Sequence, residues 1–588
     1  MDIALTAALS IFCLSSFSSQ VSFAGEGAPS SGGFVSSKGP SWLSKAVFYQ
    51  IYPSSYQDSD GNGIGDLPGI ISRLDYIKSL GVNAIWLNPV FESGWFDGGY
   101  DVIDFYKVDP RFGTNTDLAD LVKEAHSRGM KVCLDLVAGH SSDKCEWFRK
   151  SADGDANGQY ADYYIWTDVI SDKDKADIAK RNASDDPQTS KIGKFVEVDA
   201  HRAKYYQKNY YMCQPALNYG YAKPDPSHPW ECGVNDPGPQ AVRRELRNIM
   251  TFWFDKGVDG FRVDMAASLV KNDPDKKETI KLWHEMRSWI NSEFPQRVLI
   301  SEWSVPTQSI PAGFNIDFLI HIGVKAYPYL FFDGDGRWGK NSNVTNAYFE
   351  KAGLGSISEF AKAYETEYES TRNDGYIAMP TANHDFQRLC VGKRNSPDQL
   401  KVAMTFFLTM PGVPFIYYGD EIGMAYRLGL PDKEGSRDRA GTRTPMQWND
   451  GVCAGFSSCQ PSSLYLPVDT EGGKVCVSSE DKDPSSLLNY VRGLVSLRQS
   501  SDALGNDGYW KMESPLDRPY PMVYRRSSST GEEYVVALNP SGKPVEYSLP
   551  AGKAYSSAYS TGSHSLRNGK GFVTLKLSPV SAIVLSVR

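Results

Sequence analysis

Short runs of β-branched, aromatic and aliphatic residues recur along the chain, separated by stretches in which apolar residues return every three or four positions. The runs are Ala46–Ile51, Asn83–Asn88, Lys131–Val137, Gly260–Met265, Val298–Trp303, Phe318–His321, Tyr376–Ala382 and Val413–Tyr418. Each is apolar enough to be a strand buried on both faces. Asp117 to Arg128 and Pro274 to Asn291 carry a single apolar stripe and read as outer helices. Strands and helices in alternation predict a parallel sheet of the α/β class, and eight such units are what a (β/α)8 TIM barrel requires.

Two stretches break this rhythm. After the third run, residues 138–236 are polar and rich in Asp, Lys and Tyr, far longer than a βα loop, and read as an inserted subdomain B. Beyond about residue 502 short alternating runs separated by Gly, Ser and Pro (Met522–Arg526, Glu533–Leu538, Gly571–Leu577) predict a C-terminal all-β sandwich domain over 502–588. The catalytic barrel then occupies 44–137 and 237–501. Ahead of it, Met1 to Ala24 has the apolar core and the Ser22-Phe-Ala24 ending of a cleaved signal peptide, and 25–43 is a Gly/Ser/Pro linker. The chain is therefore expected to be secreted, extracellular or, in a bacterium, periplasmic.

Composition narrows the partners. The 588 residues carry 62 basic against 70 acidic side chains, a net charge of -8, with no basic run to follow a phosphate backbone, so nucleic acid is excluded as a partner. No segment after the leader is long and apolar enough to span a membrane. The 33 Tyr and 13 Trp suit sugar stacking as well as core packing. Removal of Cys13 with the leader leaves cysteines at 133, 145, 213, 232, 390, 453, 459 and 476, an even number that permits disulfides in a secreted chain. Cys133 lies in an apolar run and reads as a buried thiol; Cys453–Cys459 and Cys213–Cys232 are candidate pairs, although spacing does not fix connectivity. Asn182 and Asn343 open glycosylation sequons.

Several charged residues fall at the C-terminal ends of the runs, the rim where a parallel barrel gathers its catalytic groups. Gly260-Phe-Arg-Val-Asp-Met puts Arg262 and Asp264 two residues apart, on one face of a strand, where the guanidinium keeps the carboxylate ionised and able to attack an anomeric carbon. Leu299-Ile-Ser-Glu-Trp ends the next run with Glu302, beside Trp303 in a burying context that raises a carboxyl pKa and suits it to protonate a leaving oxygen. Thr381-Ala-Asn-His-Asp supplies His384 and Asp385, a donor and an acceptor for sugar hydroxyls. A lone Asp at a strand end is more often a loop cap or surface ion pair; three acids from three strands make that reading poor. Retaining glycosidases need two carboxyl groups about 5–5.5 Å apart, which neighbouring strand ends can supply.

The ordered set Asp135–His140, Gly260–Asp264, Ser301–Trp303 and Ala382–Asp385 resembles the four signature regions of the α-amylase superfamily, and the resemblance runs from about Val47 to the C-terminus. It implies a retaining glycoside hydrolase with Asp264 as nucleophile, Glu302 as general acid/base and Asp385 as the third acid, and it places His140, Arg262 and His384 at sugar-binding or nucleophile-orienting positions. Gln214-Pro-Ala-Leu-Asn218 and Arg443-Thr-Pro-Met-Gln-Trp448 are similar to markers of the oligo-1,6-glucosidase group. That likeness implies that Tyr100 stacks on the non-reducing sugar and that Asp97 pairs with Arg443 to close the pocket beyond it, hence exo action. Gly139 stands where many amylases have a calcium-binding Asn, Ala216 replaces the marker's Asp, and Met265 follows the nucleophile, so the amylase interdomain metal is not expected and the linkage preference is left open.

Asp58-Ser-Asp60-Gly-Asn62-Gly-Ile64-Gly-Asp66 spaces oxygen side chains at loop positions 1, 3, 5 and 9 with a usable carbonyl at Ile64, a set of hard ligands for Ca²⁺ or, alternatively, Mg²⁺. It lacks the Glu of an EF-hand and resembles the structural metal loop of the oligo-1,6-glucosidase group. The expected activity is hydrolysis of short α-linked glucose disaccharides and oligosaccharides such as maltose or isomaltose. The same intermediate also serves a trehalose-synthase-like isomerase or a sucrose-active enzyme; endo-amylase action is less favoured, and a silent barrel like the transporter ancillary chains is disfavoured because all three acids are present.

Overall fold

In the computed structural model, which describes residues 38–154, 158–184, 187–332, 344–469 and 475–588, eight parallel strands close into a barrel. They are β1 (Phe48–Ile51), β2 (Ala84–Leu87), β3 (Lys131–Leu136), β4 (Gly260–Val263), β5 (Val298–Ser301), β6 (Ile316–Phe318), β7 (Tyr376–Pro380) and β8 (Val413–Tyr417), each paired with its neighbours in chain order and β8 with β1. The signal peptide, most of the linker and Asn343 lie outside the described residues. Inside the barrel Phe48 stacks on Phe415 with ring centroids 4.3 Å apart, and Phe318 and Trp86 continue the cluster. The interior is thus a packed core, and the candidate site residues collect at its C-terminal rim.

Seven strands fall within the runs read from the sequence, and the sixth is displaced. It spans Ile316–Phe318 instead of Phe318–His321 because Asp317, an acid inside an apolar context, is paired from within. Its carboxylate accepts from Ser301 Oγ at 2.6 Å and from the backbone N–H groups of Trp303, Ser304 and Val305. A carboxylate that closes four donors in this way belongs in a strand despite its charge. The outer helices Asn115–Ser127 and Lys277–Glu293 cover the predicted segments, the first with a Thr114/Asp117 capping box.

The insertion after β3 contains the helices Glu146–Ala152 and Asp172–Asn182 and a small sheet in which Tyr205–Gln207 pairs with both Trp166–Thr167 and Phe195–Glu197. The C-terminal part has two antiparallel sheets. One contains β9 (Tyr509–Met512), β10 (Met522–Ser527), β11 (Glu533–Asn539), β13 (Tyr555–Thr561) and β16 (Ser581–Val587); the other has β12 (Val545–Pro550), β14 (His564–Asn568) and β15 (Phe572–Leu577). Val523, Val535, Leu549, Leu575 and Ile583 fill the space between them, which makes a sandwich.

Both candidate disulfides are corrected: the cysteines from Cys133 to Cys476 are all free thiols. Cys453 Sγ meets the Cys459 carbonyl at 3.3 Å and Cys459 Sγ the Gln460 carbonyl, so each thiol has a backbone oxygen as acceptor. Cys232 likewise sits 3.5 Å from the Asn218 side chain. Among the described residues no helix is long and apolar enough to cross a membrane.

Candidate active site

At the end of β4 the two-residue spacing of Arg262 and Asp264 sets one guanidinium against three carboxylates. Arg262 Nη1 donates to Asp135 of β3 at 2.8 Å and to Asp264 at 3.0 Å, and Nη2 forms an ion pair with Glu302, just past β5, at 2.9 Å. The strand register makes this unavoidable, since Asp135 lies opposite Arg262 across the β3–β4 ladder and Val263 opposite Ser301 across β4–β5. Arg262 itself is 2% exposed. A single guanidinium therefore holds Asp264 and Glu302 side by side, as paired carboxyls that work on one bond require.

Burial decides how the two acids titrate. It pushes Asp264 up to about 6, against the pull of Arg262. Glu302 goes further, to about 8, for the same reason, with Asp264 and Asp385 adding repulsion that Arg262 only partly offsets. Arg262 thus lowers the Asp264 pKa in the expected direction, but desolvation is the larger effect. At neutral pH the arrangement favours Asp264 ionised and Glu302 protonated, a pair able to offer one nucleophile and one acid. Met265, next after Asp264 in the chain, has a left-handed backbone (φ 46°) and donates its N–H to Glu302 Oε2 at 3.0 Å. A non-glycine residue in that region costs about 1–3 kcal/mol, held here by the surrounding packing.

The remaining candidates form a second layer of contacts. Tyr100 Oη donates to Asp135 at 3.0 Å and receives His384 Nε2 at 2.7 Å, while Gln50 donates to His384 Nδ1; its ring stacks on that of His384. Burial pushes the His384 pKa well down, so the ring is neutral and passes a hydrogen-bond chain to Asp135. His140 is also held neutral, by burial, at about 4. Its Nε2 donates to the Tyr100 carbonyl and its Nδ1 accepts from Asn209 at 2.9 Å. Gly139 matters here, because a Cβ at that position would lie 3.0 Å from the Asn209 amide nitrogen.

The far end of the pocket differs from the sequence expectation. Asp97 pairs with Arg439, not Arg443, at 2.8 Å, and Arg439 also pairs with Asp385 at 3.0 Å. Gln214 donates to the other Asp97 oxygen. Arg443 is fully buried behind this pair; it donates to the His384 carbonyl at 2.8 Å and reaches Asp385 at 3.4 Å. The backbone explains the exchange: Glu434, Gly435 and Arg437 all have positive φ, and they swing a short 3-10 turn, Arg437–Thr442, so that Arg439 faces the pocket. Gly435 is required, since a Cβ there would sit 2.4 Å from the Phe96 carbonyl oxygen. Glu434 fastens the turn through Arg111 at 2.7 Å and the Tyr465 hydroxyl at 2.8 Å. Burial opposes ionisation of Asp385, but the guanidinium groups of Arg439, Arg443 and Arg262 outweigh it and hold its pKa well below the usual range.

Asp97, Tyr100, His140, Asp264, Glu302 and Asp385 line one cavity of about 340 Å³, whereas Arg262, His384 and Arg443 stand behind its wall. Arg439 is the site residue that sequence reasoning missed; the only signal was a second arginine four positions ahead of the Arg443 marker. Separately, Asp58, Asp60 and Asp66 bring carboxylate oxygens within 4.8 Å of one another. Asp58 accepts from the Gly61 and Gly63 N–H groups and from Ser457, and Asp60 from the Asn62 backbone, so the loop already curls its oxygens inward, and the Asn62 side chain accepts from Ile64. An all-oxygen set of this kind fits a hard divalent cation.

The model of the α-amylase catalytic domain family matches residues 50–507. An oligo-1,6-glucosidase of Heyndrickxia coagulans is 31% identical over 558 residues, covering 87% of this chain and 94% of that protein. Maltase A2 of Drosophila melanogaster is 30% identical over 570 residues (88% and 91%), and a trehalose synthase/amylase of Mycolicibacterium smegmatis 31% identical over 488 (79% and 77%). Among solved structures, the trehalulose synthase of Pseudomonas mesoacidophila MX-45 superposes with a TM-score of 0.74 at 25% identity, covering 94% of this chain and 100% of that one.

The Asp97–Arg439–Asp385 cluster makes a prediction of its own. Arg439→Met leaves two buried carboxylates without their shared counter-ion and is expected to cost about 3–5 kcal/mol in denaturant unfolding at pH 7. In an Asp97→Asn background the same change should cost clearly less. An equal loss in both backgrounds would mean that the ion pairs are not its source.

Proposed function

The chain belongs to the α-amylase family, and from the geometry of its site we propose that it is a retaining, exo-acting hydrolase of short α-glucosides of the maltose, isomaltose or maltooligosaccharide type. The observation that carries this reading is the pocket with Asp264 and Glu302 on one guanidinium and a far end closed by Asp97, Arg439 and Asp385. A sugar chain cannot continue past that end, so cleavage takes the terminal glucosyl unit. Asp264 attacks the anomeric carbon as Glu302 protonates the leaving oxygen, giving a covalent glucosyl–Asp264 intermediate; Glu302, now ionised, deprotonates a water that releases it. Asp385, ionised, serves to hold the reacting sugar by its hydroxyls.

Some relatives are named for glucosyl transfer, and an isomerase needs the intermediate shielded from water. Here Tyr210 and Ile322 at the mouth are 38% and 36% exposed, an open approach that favours water as the acceptor. Following the anomeric protons by NMR during incubation with maltose, isomaltose, sucrose, trehalose and soluble starch tests the proposal. The expected first product is α-glucose from a disaccharide; β-glucose first would refute retention, and a product disaccharide in place of glucose would favour the isomerase.

The two titrations set the pH profile. Activity needs Asp264 ionised and Glu302 protonated, so kcat/KM is expected to rise as pH passes about 6 and to fall as it passes about 8, with the two apparent values belonging to the coupled pair. Glu302→Gln should remove the alkaline limb from whatever activity is left.

The loop of Asp58, Asp60, Asn62, Ile64 and Asp66 is proposed to hold a structural Ca²⁺, remote from the reacting bond, which clamps it to the segment 457–465, whose Ser457 hydroxyl donates to Asp58 and whose Tyr465 N–H donates to the Gly63 carbonyl. Chelation with EDTA should lower the Tm and added calcium restore it, by up to about 2.7 kcal/mol at a hundred times Kd. Asp60→Ala is expected to abolish the response. Secretion, argued from Met1–Ala24, stands as a further part of the proposal.

A further inference from the structure

The insertion after β3 comes back against the pocket at Asn209, whose side chain touches three groups of the site. Its backbone is pinned first. The Asn209 N–H donates to the Gln214 carbonyl at 2.8 Å, the Ala216 N–H to the Gln207 carbonyl at 2.9 Å and the Leu217 N–H to the Gly139 carbonyl at 3.1 Å, so the two segments are laced to each other and to the end of β3. Gly139, just before His140, leaves the room in which the Asn209 amide sits, since any side chain there would start 3.0 Å from its nitrogen.

That amide lies between a donor and an acceptor, and their chemistry decides which end faces which. Lys271 Nζ is 3.4 Å from Asn209 Oδ1 and 3.3 Å from the Ser268 carbonyl; burial pushes its pKa down to about 8, which leaves it cationic at neutral pH. An ammonium has only protons to give, so it takes the amide oxygen. The amide NH2 is thereby turned onto His140 Nδ1 at 2.9 Å, with Met265 Sδ at 3.8 Å as a weak second acceptor. Across the ring, His140 Nε2 meets the Tyr100 carbonyl at 2.9 Å, a group that can only accept. Both neighbours therefore demand the same imidazole, with hydrogen on Nε2, a lone pair on Nδ1 and no charge.

Burial opposes a charge on His140 and Lys271 repels one, whereas the Tyr100 carbonyl and Asp97 favour it. Geometry adds a second barrier. A proton on Nδ1 would face the Asn209 NH2, and the amide can turn away only by setting that NH2 against Lys271. The charge matters because His140 lines the cavity together with Asp264, Glu302 and Asp385. An imidazolium there would be a further cation beside acids whose remaining proton depends on positive charge being scarce. We propose that Asn209 is a positioning residue of the pocket: with Lys271 it locks His140 as the neutral Nε2–H tautomer. The catalytic consequence of that lock rests on the hydrolase reading above; the lock itself does not.

The resting protein tests the lock without any turnover. In protein made with isotope-labelled histidine, and with the His140 signals assigned by their loss in His140→Gln, long-range proton–nitrogen NMR should show the Nε2–H pattern unchanged between about pH 5 and 8. Asn209→Asp keeps the shape and puts an acceptor opposite Nδ1. Because the Tyr100 carbonyl still requires Nε2–H, both nitrogens then carry hydrogen, and His140 should titrate above its ordinary value of about 6.5. Maltose kcat/KM in this variant should fall about tenfold at neutral pH, the worth of one misdirected hydrogen bond, and its acid limb should move up with the His140 titration. Lys271→Met, a second variant should the first not fold, frees the amide to turn and should let His140 populate both tautomers. A wild-type His140 that titrates near its ordinary value or carries its hydrogen on Nδ1, or one that stays neutral in Asn209→Asp, overturns the proposal. So does an acid limb that is unmoved in Asn209→Asp. The expected NMR pattern in a wild type that releases no glucose from any α-glucoside would overturn the hydrolase reading and leave the lock standing.

Discussion

A single buried guanidinium faces three carboxylates in this protein, and the rest of the site follows from that shortage of positive charge. Arg262 lies within 3.0 Å of oxygens from Asp135, Asp264 and Glu302. If all three acids were ionised the cluster would carry two uncompensated negative charges in a largely buried place. One proton must therefore stay, and it stays on the acid with the least help, Glu302, which Asp264 and Asp385 both repel. The difference in protonation between two chemically similar acids is a property of the cluster, not of either side chain.

The barrel makes this cluster possible by register alone. A strand that carries Arg262 and Asp264 two residues apart turns both to one side. The neighbouring ladders then set Asp135 and Ser301 beside them without any loop having to choose a conformation. The closed end of the pocket is a different kind of construction. It depends on three positive-φ residues, Glu434, Gly435 and Arg437, and on Glu434 tying a loop to Arg111 and Tyr465. Such a structure is specified by distant partners, not by local pattern.

That difference explains what was legible in the sequence. Buried strands announce themselves as apolar runs, and acids at their ends stand out against them, so seven strands and Asp264, Glu302 and Asp385 were readable. Strand β6 was misplaced because Asp317 interrupts its run, and its four donors come from residues remote enough to leave no local trace. Arg443 was expected where Arg439 sits because the marker motif identifies a residue and not the turn before it. The cysteines failed for a related reason: spacing says which thiols are close along the chain, whereas bridging depends on where each sulfur points.

The seal formed by Asp97, Arg439 and Asp385, fastened through Glu434, also imposes an order on traffic. A pocket with one opening releases the group nearest the opening first, so the alcohol departs before the sugar that lies beneath it. On the proposed hydrolase reading, glucose is then the last species out and the first to find the emptied pocket again. Its build-up in the medium would occupy the same space as the glucosyl end of the next substrate, so the rate would slow as product accumulates without any separate regulatory site.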